Sequence, residues 1–305
     1  MKWIIIFLLS FLFVSCSGDD NPPNNGSPNF YWSGAKVITW VPPYFVSESK
    51  TMLQKDFGGV GMKDGITHLA LQFWVPNGPQ VSKATRYGEL SDSDIEWFRD
   101  WGHENQIKVL LCVYNGENGW DWALAKESFV DNRAAFVNSL VSEMERLELD
   151  GIEVDLEGLG ESDTDKDSFM EFMNELSQEL GEREKELTIA TFAYIWNKPN
   201  SNWWNDLNLV VYGITSMGYE EIGRNAEGWR SYASQKSFTN DPSKLMLGMP
   251  GHLSEWQGNT VSEQLDWIVQ DGSVGVGIWD ATLSATAWQT AAVWNKLKEI
   301  RGSLK

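Results

Sequence analysis

The chain has 305 residues, of which 42% are hydrophobic and 17 are Trp, and its formal net charge is −19. This length allows one large domain or two small ones. The acidic balance argues against nucleic acid as a partner, because phosphates attract basic surfaces.

The first residues have the pattern of an export signal. Lys2 precedes an apolar run over 3–14, which is too short to span a bilayer but fits the core of a signal peptide. The run ends at Ser15 and Cys16, which resembles a bacterial lipobox, and the alternative is an ordinary secretory signal with a chance cysteine. We predict a lipoprotein signal peptide over 1–15, lipidation of Cys16, and a protein exported and lipid-anchored to the cell envelope.

Residues 16–35 contain few apolar residues and many turn formers, which predicts a flexible, lipid-tethered linker. The folded domain then occupies 36–305. With Cys16 lipidated, Cys112 has no disulfide partner in the chain, so the fold must depend on a large core. Cys112 itself lies in an apolar run and is expected to be a buried thiol.

Eight apolar, β-branched runs recur along the chain, with helical patterns between most of them. The predicted strands are 37–40, 66–75, 107–114, 151–157, 187–194, 209–216, 244–249 and 274–279. Ser91 and Asp94 predict the start of one helix, Asp165 or Asp167 the start of another, and a 3.6-residue period runs through 134–147, 169–180 and 288–300. This alternation predicts an α/β fold, a single (β/α)8 TIM barrel. A doubly wound open sheet is the alternative, but no Gly-rich phosphate loop follows an early strand.

The segment 149–158 alternates apolar and acidic residues with a period of two. On a strand, Glu153, Asp155 and Glu157 would share one face, and the apolar residues between them would share the other. Three close carboxyls on an inward face cannot all be ionised at low cost, so at least one should titrate at high pH. A protonated acid near neutral pH is what cleavage of a glycosidic bond requires, and Glu157 is nearest the rim. The alternative is a solvated acidic face at a sheet edge.

The segment 150–157 resembles the DGxDxDxE signature of glycoside hydrolase family 18, the chitinases and endo-β-N-acetylglucosaminidases. The resemblance continues in order along the chain. It includes the second strand at 67–73, the M-x-Y-D motif at 217–220, the seventh strand at 244–250 and the eighth strand at 277–280.

This resemblance implies hydrolysis of β-1,4 linkages next to N-acetylglucosamine by a substrate-assisted retaining mechanism. Glu157 would act as the acid, Asp155 would hold the substrate acetamide, Tyr219 would hydrogen-bond it, and Glu153 would share protons with the row. Trp279 would stack beneath the reacting sugar. The other expected substrate-binding residues are Met217, Glu220, Gln72, Trp40 and Tyr114.

The resemblance implies no cofactor, and His68, His103 and His252 have no metal-ligand spacing, so no metal is predicted. The expected partner is a glycan that contains N-acetylglucosamine, with membrane contact only through the lipid anchor. The oligomeric state stays open. The stretch between the seventh and eighth strands is short, which predicts a barrel without a chitinase insertion domain, and an open groove.

Some positions depart from the family pattern. Glu153 and Glu220 replace aspartates, and Tyr114 and Asn115 stand where the third strand usually has small residues. An active hydrolase and a glycan-binding protein without turnover therefore both stay open, as do chitin and the chitobiose core of N-glycans as substrates. Five loop tryptophans could extend the groove or anchor their loops: Trp120, Trp122, Trp203, Trp204 and Trp256.

Overall fold

Eight parallel strands close into a barrel in the computed structural model, which describes residues 35–161, 163–218, 224, 226 and 228–302. The strands are β1 Val37–Val41, β2 His68–Asn77, β3 Lys108–Tyr114, β4 Gly151–Asp155, β5 Glu186–Phe192, β6 Gly213–Met217, β7 Leu245–Pro250 and β8 Gly275–Trp279. Each strand pairs in parallel with the next, and β8 returns to pair with β1. The predicted (β/α)8 barrel is therefore confirmed.

Helices lie between the strands. They are α1 Val46–Leu53, α2 Met62–Gly65, α3 Asp92–Glu104, α4 Trp122–Lys126, α5 Arg133–Arg146, α6 Lys166–Gly181, α7 Trp204–Leu207, α8 Tyr232–Ser237, α9 Val261–Asp271 and α10 Ala291–Gly302. Ser91 caps α3 as predicted, because its hydroxyl accepts a 3.1 Å bond from the Asp94 amide. Asp165 makes no cap bond to α6, and its carboxylate instead accepts from Trp122 and pairs with Lys126.

The two faces of β4 serve two different parts of the core. Ile152, Val154 and Leu156 pack outward in the large apolar cluster shared with the helices. Inside the barrel, a smaller apolar cluster comprises Ile38, Trp40, Ala70, Leu110, Cys112 and Met246. Cys112 is a buried free thiol, as expected. Gly151 is required at the start of β4, because a Cβ there would lie 2.1 Å from the Glu186 carbonyl oxygen.

Several predicted strand limits differ from the observed ones by two or more residues. At two of them, the end of β4 and the start of β6, the local backbone bonds elsewhere. β4 ends at Asp155, and the main-chain N–H and C=O of Glu157 bond to the Asn115 side chain instead of continuing the ladder. β6 begins only at Gly213. Before it, the Leu207 carbonyl accepts from the amides of residues 210 and 211, which holds the chain in a turn and leaves Leu209 80% exposed.

Residues 251–274 between β7 and β8 form only a hairpin of two short strands, Glu255–Trp256 and Asn259–Thr260, followed by α9. The barrel thus has no insertion domain at this position, as predicted. Within the described ranges, no helix is long and apolar enough to cross a membrane. The predicted signal peptide, Cys16 and most of the linker lie outside the described residues.

Candidate active site

The acidic row lies at the carboxyl end of β4, on the inward face of the barrel. Glu153 is fully buried and Asp155 is 4% exposed, whereas Glu157, just past the strand, is partly exposed. The row thus runs from the barrel interior to its mouth. Catalytic groups of such barrels lie at this end of the strands.

Glu153 is held by a neutral donor. The Thr188 hydroxyl on β5 donates to Glu153 Oε2, and Oε1 has no hydrogen-bond partner among the described residues. Burial raises the pKa of Glu153 well above its ordinary value, and the charge of Asp155 adds to this rise, while the Thr188 bond opposes it. Glu153 therefore favours its neutral form.

Asp155 and Glu157 titrate as a pair. The Gln72 amide donates a 2.7 Å bond to Asp155 Oδ2. Burial raises the pKa of Asp155 to about 6, although the bonds from Gln72 and Glu157 lower it. The pKa of Glu157 is raised well above its usual range. The main cause is burial of the carboxyl, and the charge of Asp155 and the bond to Asp155 add to it. Glu157 thus keeps its proton while Asp155 ionises.

Asn115 fixes the position of the acid. Its buried side chain donates a 2.9 Å bond to the Glu157 carbonyl and accepts a 2.9 Å bond from the Glu157 amide. From the sequence, Asn115 was expected only to add bulk where the family has small residues, and this role was not predicted. A usable signal existed, because Asn115 directly follows β3, and the ends of neighbouring parallel strands lie side by side.

No cation contributes to the pKa shifts of the three carboxyls among the described residues. The described residues also contain no cluster of three His, Cys, Asp or Glu side chains that could hold a metal ion. Two neutral side chains donate hydrogen bonds to the acidic row, the Thr188 hydroxyl to Glu153 and the Gln72 amide to Asp155. This arrangement can keep one carboxyl protonated beside another that ionises, which suits proton transfer to a leaving group.

Trp279 lies at the mouth, at the end of β8, and is partly exposed. Trp40 packs against it with ring centroids 6.2 Å apart, and Trp40 is 1% exposed. Trp40 therefore supports Trp279 from below. Gln72 is likewise buried and bonded to Asp155, so these two predicted substrate-binding residues lie behind the surface that a sugar would reach.

The other predicted binding residues surround the same opening. Met217, at the end of β6, packs with Ala190 and Phe192. Tyr114 is buried against Trp120, with ring centroids 6.3 Å apart, and its hydroxyl has no hydrogen-bond partner among the described residues. Burial raises the pKa of this phenol. Tyr219 and Glu220 follow shortly after Met217 and lie outside the described residues.

The loop tryptophans are mainly anchors. Trp203, Trp204 and Trp256 are buried, and Trp122 packs against the phenylalanines of the helical layer at residues 129 and 169. The exposed aromatic side chains around the mouth are different ones, which the sequence analysis missed: Tyr44, Phe45, Tyr87 and Trp196. Loop residues have no periodicity from which exposure could be predicted.

Comparison with known proteins agrees with this geometry. No curated protein matches the chain significantly. Among solved structures, a chitinase from Chromobacterium violaceum is similar with a TM-score of 0.66 at 14% identity, covering 87% of this chain and 98% of that one. A family 18 chitinase from the chitin utilization locus of Flavobacterium johnsoniae has a TM-score of 0.63 at 17% identity, covering 89% and 95%.

A further similar structure is a catalytic domain of an Ostrinia furnacalis group II chitinase, solved in complex with penta-N-acetylchitooctaose. Its TM-score is 0.55 at 16% identity, covering 74% of this chain and 69% of that one. At these identities the likeness shows the fold. The model of the family described as glycosyl hydrolases family 18 matches residues 41–301, which is most of the chain. The chain, a glycosidase, therefore belongs to glycosyl hydrolases family 18.

Proposed function

We propose that this protein hydrolyses β-1,4 linkages next to N-acetylglucosamine by a substrate-assisted, retaining mechanism. The observation that supports it best is the placement of two neighbouring carboxyls at the barrel mouth, buried Asp155 at the end of β4 and partly exposed Glu157 just past it. The charge of Asp155 and its bond to Glu157 both raise the pKa of Glu157, which favours the proton on Glu157. Family membership and the chitinases among the similar structures support a substrate of this class.

The first step uses the proton on Glu157. Glu157 donates it to the glycosidic oxygen, and the bond between that oxygen and the anomeric carbon breaks. The acetamido oxygen of the same sugar attacks the anomeric carbon, which gives a cyclic oxazolinium ion and releases the leaving sugar as an alcohol. No protein nucleophile is needed.

The second step regenerates the acid. Ionised Asp155 stabilises the positive charge of the oxazolinium, and Gln72 holds the Asp155 carboxyl in place. Tyr219 is proposed to donate to the acetamido oxygen. Glu157, now a carboxylate, takes a proton from water as the water attacks the anomeric carbon. The two inversions give a product with the original configuration.

Trp279 is proposed to form the floor of the reacting sugar's site. Its ring is partly exposed at the mouth and is supported by buried Trp40. An aromatic face suits the apolar face that the axial C–H groups of a pyranose present.

Product analysis tests the proposal. Wild type and Glu157→Gln are incubated with chitooligosaccharides and with an N-glycan that carries the chitobiose core, and products are identified by mass spectrometry. Wild type should cleave at least one substrate with initial release of the β-anomer, and the variant should lose turnover while still binding oligosaccharide. A wild type that binds but cleaves neither would favour the alternative, a glycan-binding protein without turnover.

We further propose that the protein is exported and attached to the cell envelope by a lipid on Cys16. The apolar run 3–14 ends directly before Ser15 and Cys16, as in a lipoprotein signal. Labelled fatty acid should be incorporated into wild type. Cys16→Ser should remove the label and release the protein from the membrane fraction, and retention of the label would refute this attachment.

A further inference from the structure

An exposed apolar surface lies beside the catalytic acid. We call it the rim patch and define it as Leu159, Tyr194, Ile195, Trp196 and Trp229. Leu159 is 69% exposed, and Ile195 and Trp196 are each 52% exposed. Tyr194 stacks on Trp196 with centroids 4.2 Å apart and planes 13° apart, and Trp229 meets both rings edge-on. One face of Trp196 is thus covered, and the side chain still exposes half its surface.

The rim patch is tied to Glu157 by backbone pairing. The short strand Gly158–Leu159 directly follows Glu157 and pairs antiparallel with Asn197–Lys198, which directly follows Trp196. At about 3.3 Å rise per residue, Trp196 lies roughly 10 Å along this ribbon from the acid. Both strands of the ribbon extend from the mouth of the barrel, after β4 and β5.

An aromatic path joins the rim patch to the interior of the mouth. Phe192, which ends β5 and packs with Met217, has its ring 5.0 Å from that of Tyr194. Tyr194 then stacks on Trp196, so aromatic rings continue from the site to the exposed face. Such continuity is not needed to anchor a loop, because the buried Trp203 and Trp204 already anchor the segment that follows.

The exposure is concentrated on this side of the molecule. Seven large apolar side chains are exposed within the described ranges, and all except Leu209 follow the carboxyl ends of β1, β2, β4 or β5. Clustered exposed apolar surface marks a binding site, whereas single exposed residues carry no such meaning.

We propose that the rim patch binds sugars on the leaving-group side of a polymeric β-1,4-linked N-acetylglucosamine chain, with Trp196 as the main stacking surface; this rests on the proposed function. Trp279, at the end of β8, would floor the sugar whose anomeric carbon reacts. β4 and β5 lie across the eight-stranded ring from β8, on the side of the acid that protonates the departing oxygen. A chain whose reacting sugar lies on Trp279 and whose leaving sugars lie beside Glu157 would then extend toward Trp196.

Two substrates distinguish a contact with the leaving sugars from a general loss of activity. An aryl β-chitobioside has a phenolic leaving group and no sugar beyond the bond that is cleaved, whereas chitohexaose and chitin extend past it. Trp196→Ala should lower kcat/KM on chitohexaose about fivefold more than on the aryl chitobioside, in line with an aromatic stacking contact. Trp196→Phe should recover most of this difference, and Trp97→Ala, a partly exposed Trp of α3, should change neither.

Binding gives a second measurement. In the Glu157→Gln background, chitin beads should deplete the protein from solution, and adding Trp196→Ala should reduce that depletion. If Trp196→Ala lowered kcat/KM equally on both substrates and left bead binding unchanged, the role of the rim patch would be refuted. The proposed hydrolysis would not be affected by that result. A wild type that cleaves neither substrate would refute the hydrolysis, and bead binding would then decide the patch alone. If Trp196→Ala instead turns a dimer into a monomer in sedimentation, the surface serves self-association and the proposal is wrong.

Discussion

The barrel buries acidic side chains at both ends, and among the described residues only those at the amino end are surrounded by cations. At the amino end, Glu186 Oε2 lies 2.8 Å from His68 Nε2 and Oε1 lies 3.7 Å from Lys108 Nζ. Burial raises the pKa of Glu186, but the His68 bond and the charges of Lys108 and Lys36 outweigh it, and the pKa is lowered. Burial also lowers the pKa of Lys36.

The same two strands supply both ends. β2 begins at His68 and carries Gln72 four residues later, and β5 begins at Glu186 and carries Thr188 two residues later. Gln72 and Thr188 hold carboxyls of the acidic row without adding positive charge. Neutral donors can thus fix geometry while pKa values stay high, whereas cations fix geometry and lower them. The difference separates a site built for proton transfer from one built for stability.

The largest effect is expected from removing the charge at the amino end. Glu186→Gln should lower the free energy of unfolding by about 3–5 kcal/mol, because it leaves buried cations without their partner. Its kcat/KM per folded molecule should stay unchanged. Glu157→Gln is the matched change at the carboxyl end. It should lower kcat/KM about 10²–10⁴-fold and leave the free energy of unfolding without a loss. Chemical denaturation and kinetics on both variants measure this.

The pH dependence of the Glu186 effect has a fixed sign. A carboxyl whose pKa is lowered in the fold stabilises the protein above its unfolded pKa, and this stabilisation is lost as pH falls through the folded value. The gap between wild type and Glu186→Gln should therefore shrink on acidification below about pH 4. A gap that widens on acidification would contradict the proposed charge arrangement.

The next effect concerns the pair at the mouth. Asp155→Asn should lower kcat/KM about 10²-fold, because the oxazolinium loses its stabilising charge. Wild type should show an acid limb near pH 6, where Asp155 ionises, and a basic limb where Glu157 loses its proton. In the variant the acid limb should disappear. Rates on an aryl chitobioside across pH 4–9 test this, and an acid limb that persists unchanged would assign it to another group.

The sequence predicted the fold and the acidic row because both depend on periodicity. The alternation of Ile152, Val154 and Leu156 with the acids is a local property, and so is the order of eight apolar runs. The contacts that fix the site are not local. Asn115 reaches Glu157 across 42 positions, and Thr188 reaches Glu153 across 35. No spacing rule links such residues before strand register is known.

The cluster at the amino end was missed for the same reason. His68 and Glu186 are separated by 118 positions, and from the sequence His68 was considered only as a possible metal ligand. Its partner emerges only when β2 and β5 are placed in one closed barrel. The exposed Trp196 was also missed, since exposure of a loop aromatic depends on the packing of its neighbours.

The last expected effect is on Glu153, and it has the opposite sign to that on Glu186. Glu153 is buried with Thr188 as its donor, and its pKa is raised, so the folded state binds a proton that the unfolded state has lost above about pH 4.5. Wild-type stability should therefore fall as pH rises from that value toward the folded pKa of Glu153. A glutamine has no proton to lose, and Glu153→Gln should escape this fall.

Glu153→Gln should thus match wild type near pH 4 and become more stable at higher pH, by up to about 1.4 kcal/mol for each pH unit. Urea denaturation at pH 4.5 and 7 measures the difference, with Glu104→Gln on the exposed face of α3 as the control that should change at neither pH. If Glu153→Gln were instead destabilised at pH 7 as Glu186→Gln is, Glu153 would have to be an ionised, compensated carboxylate. The two ends of the barrel would then use buried acids in the same way, and neutral donors could not be what keeps the proton on Glu157.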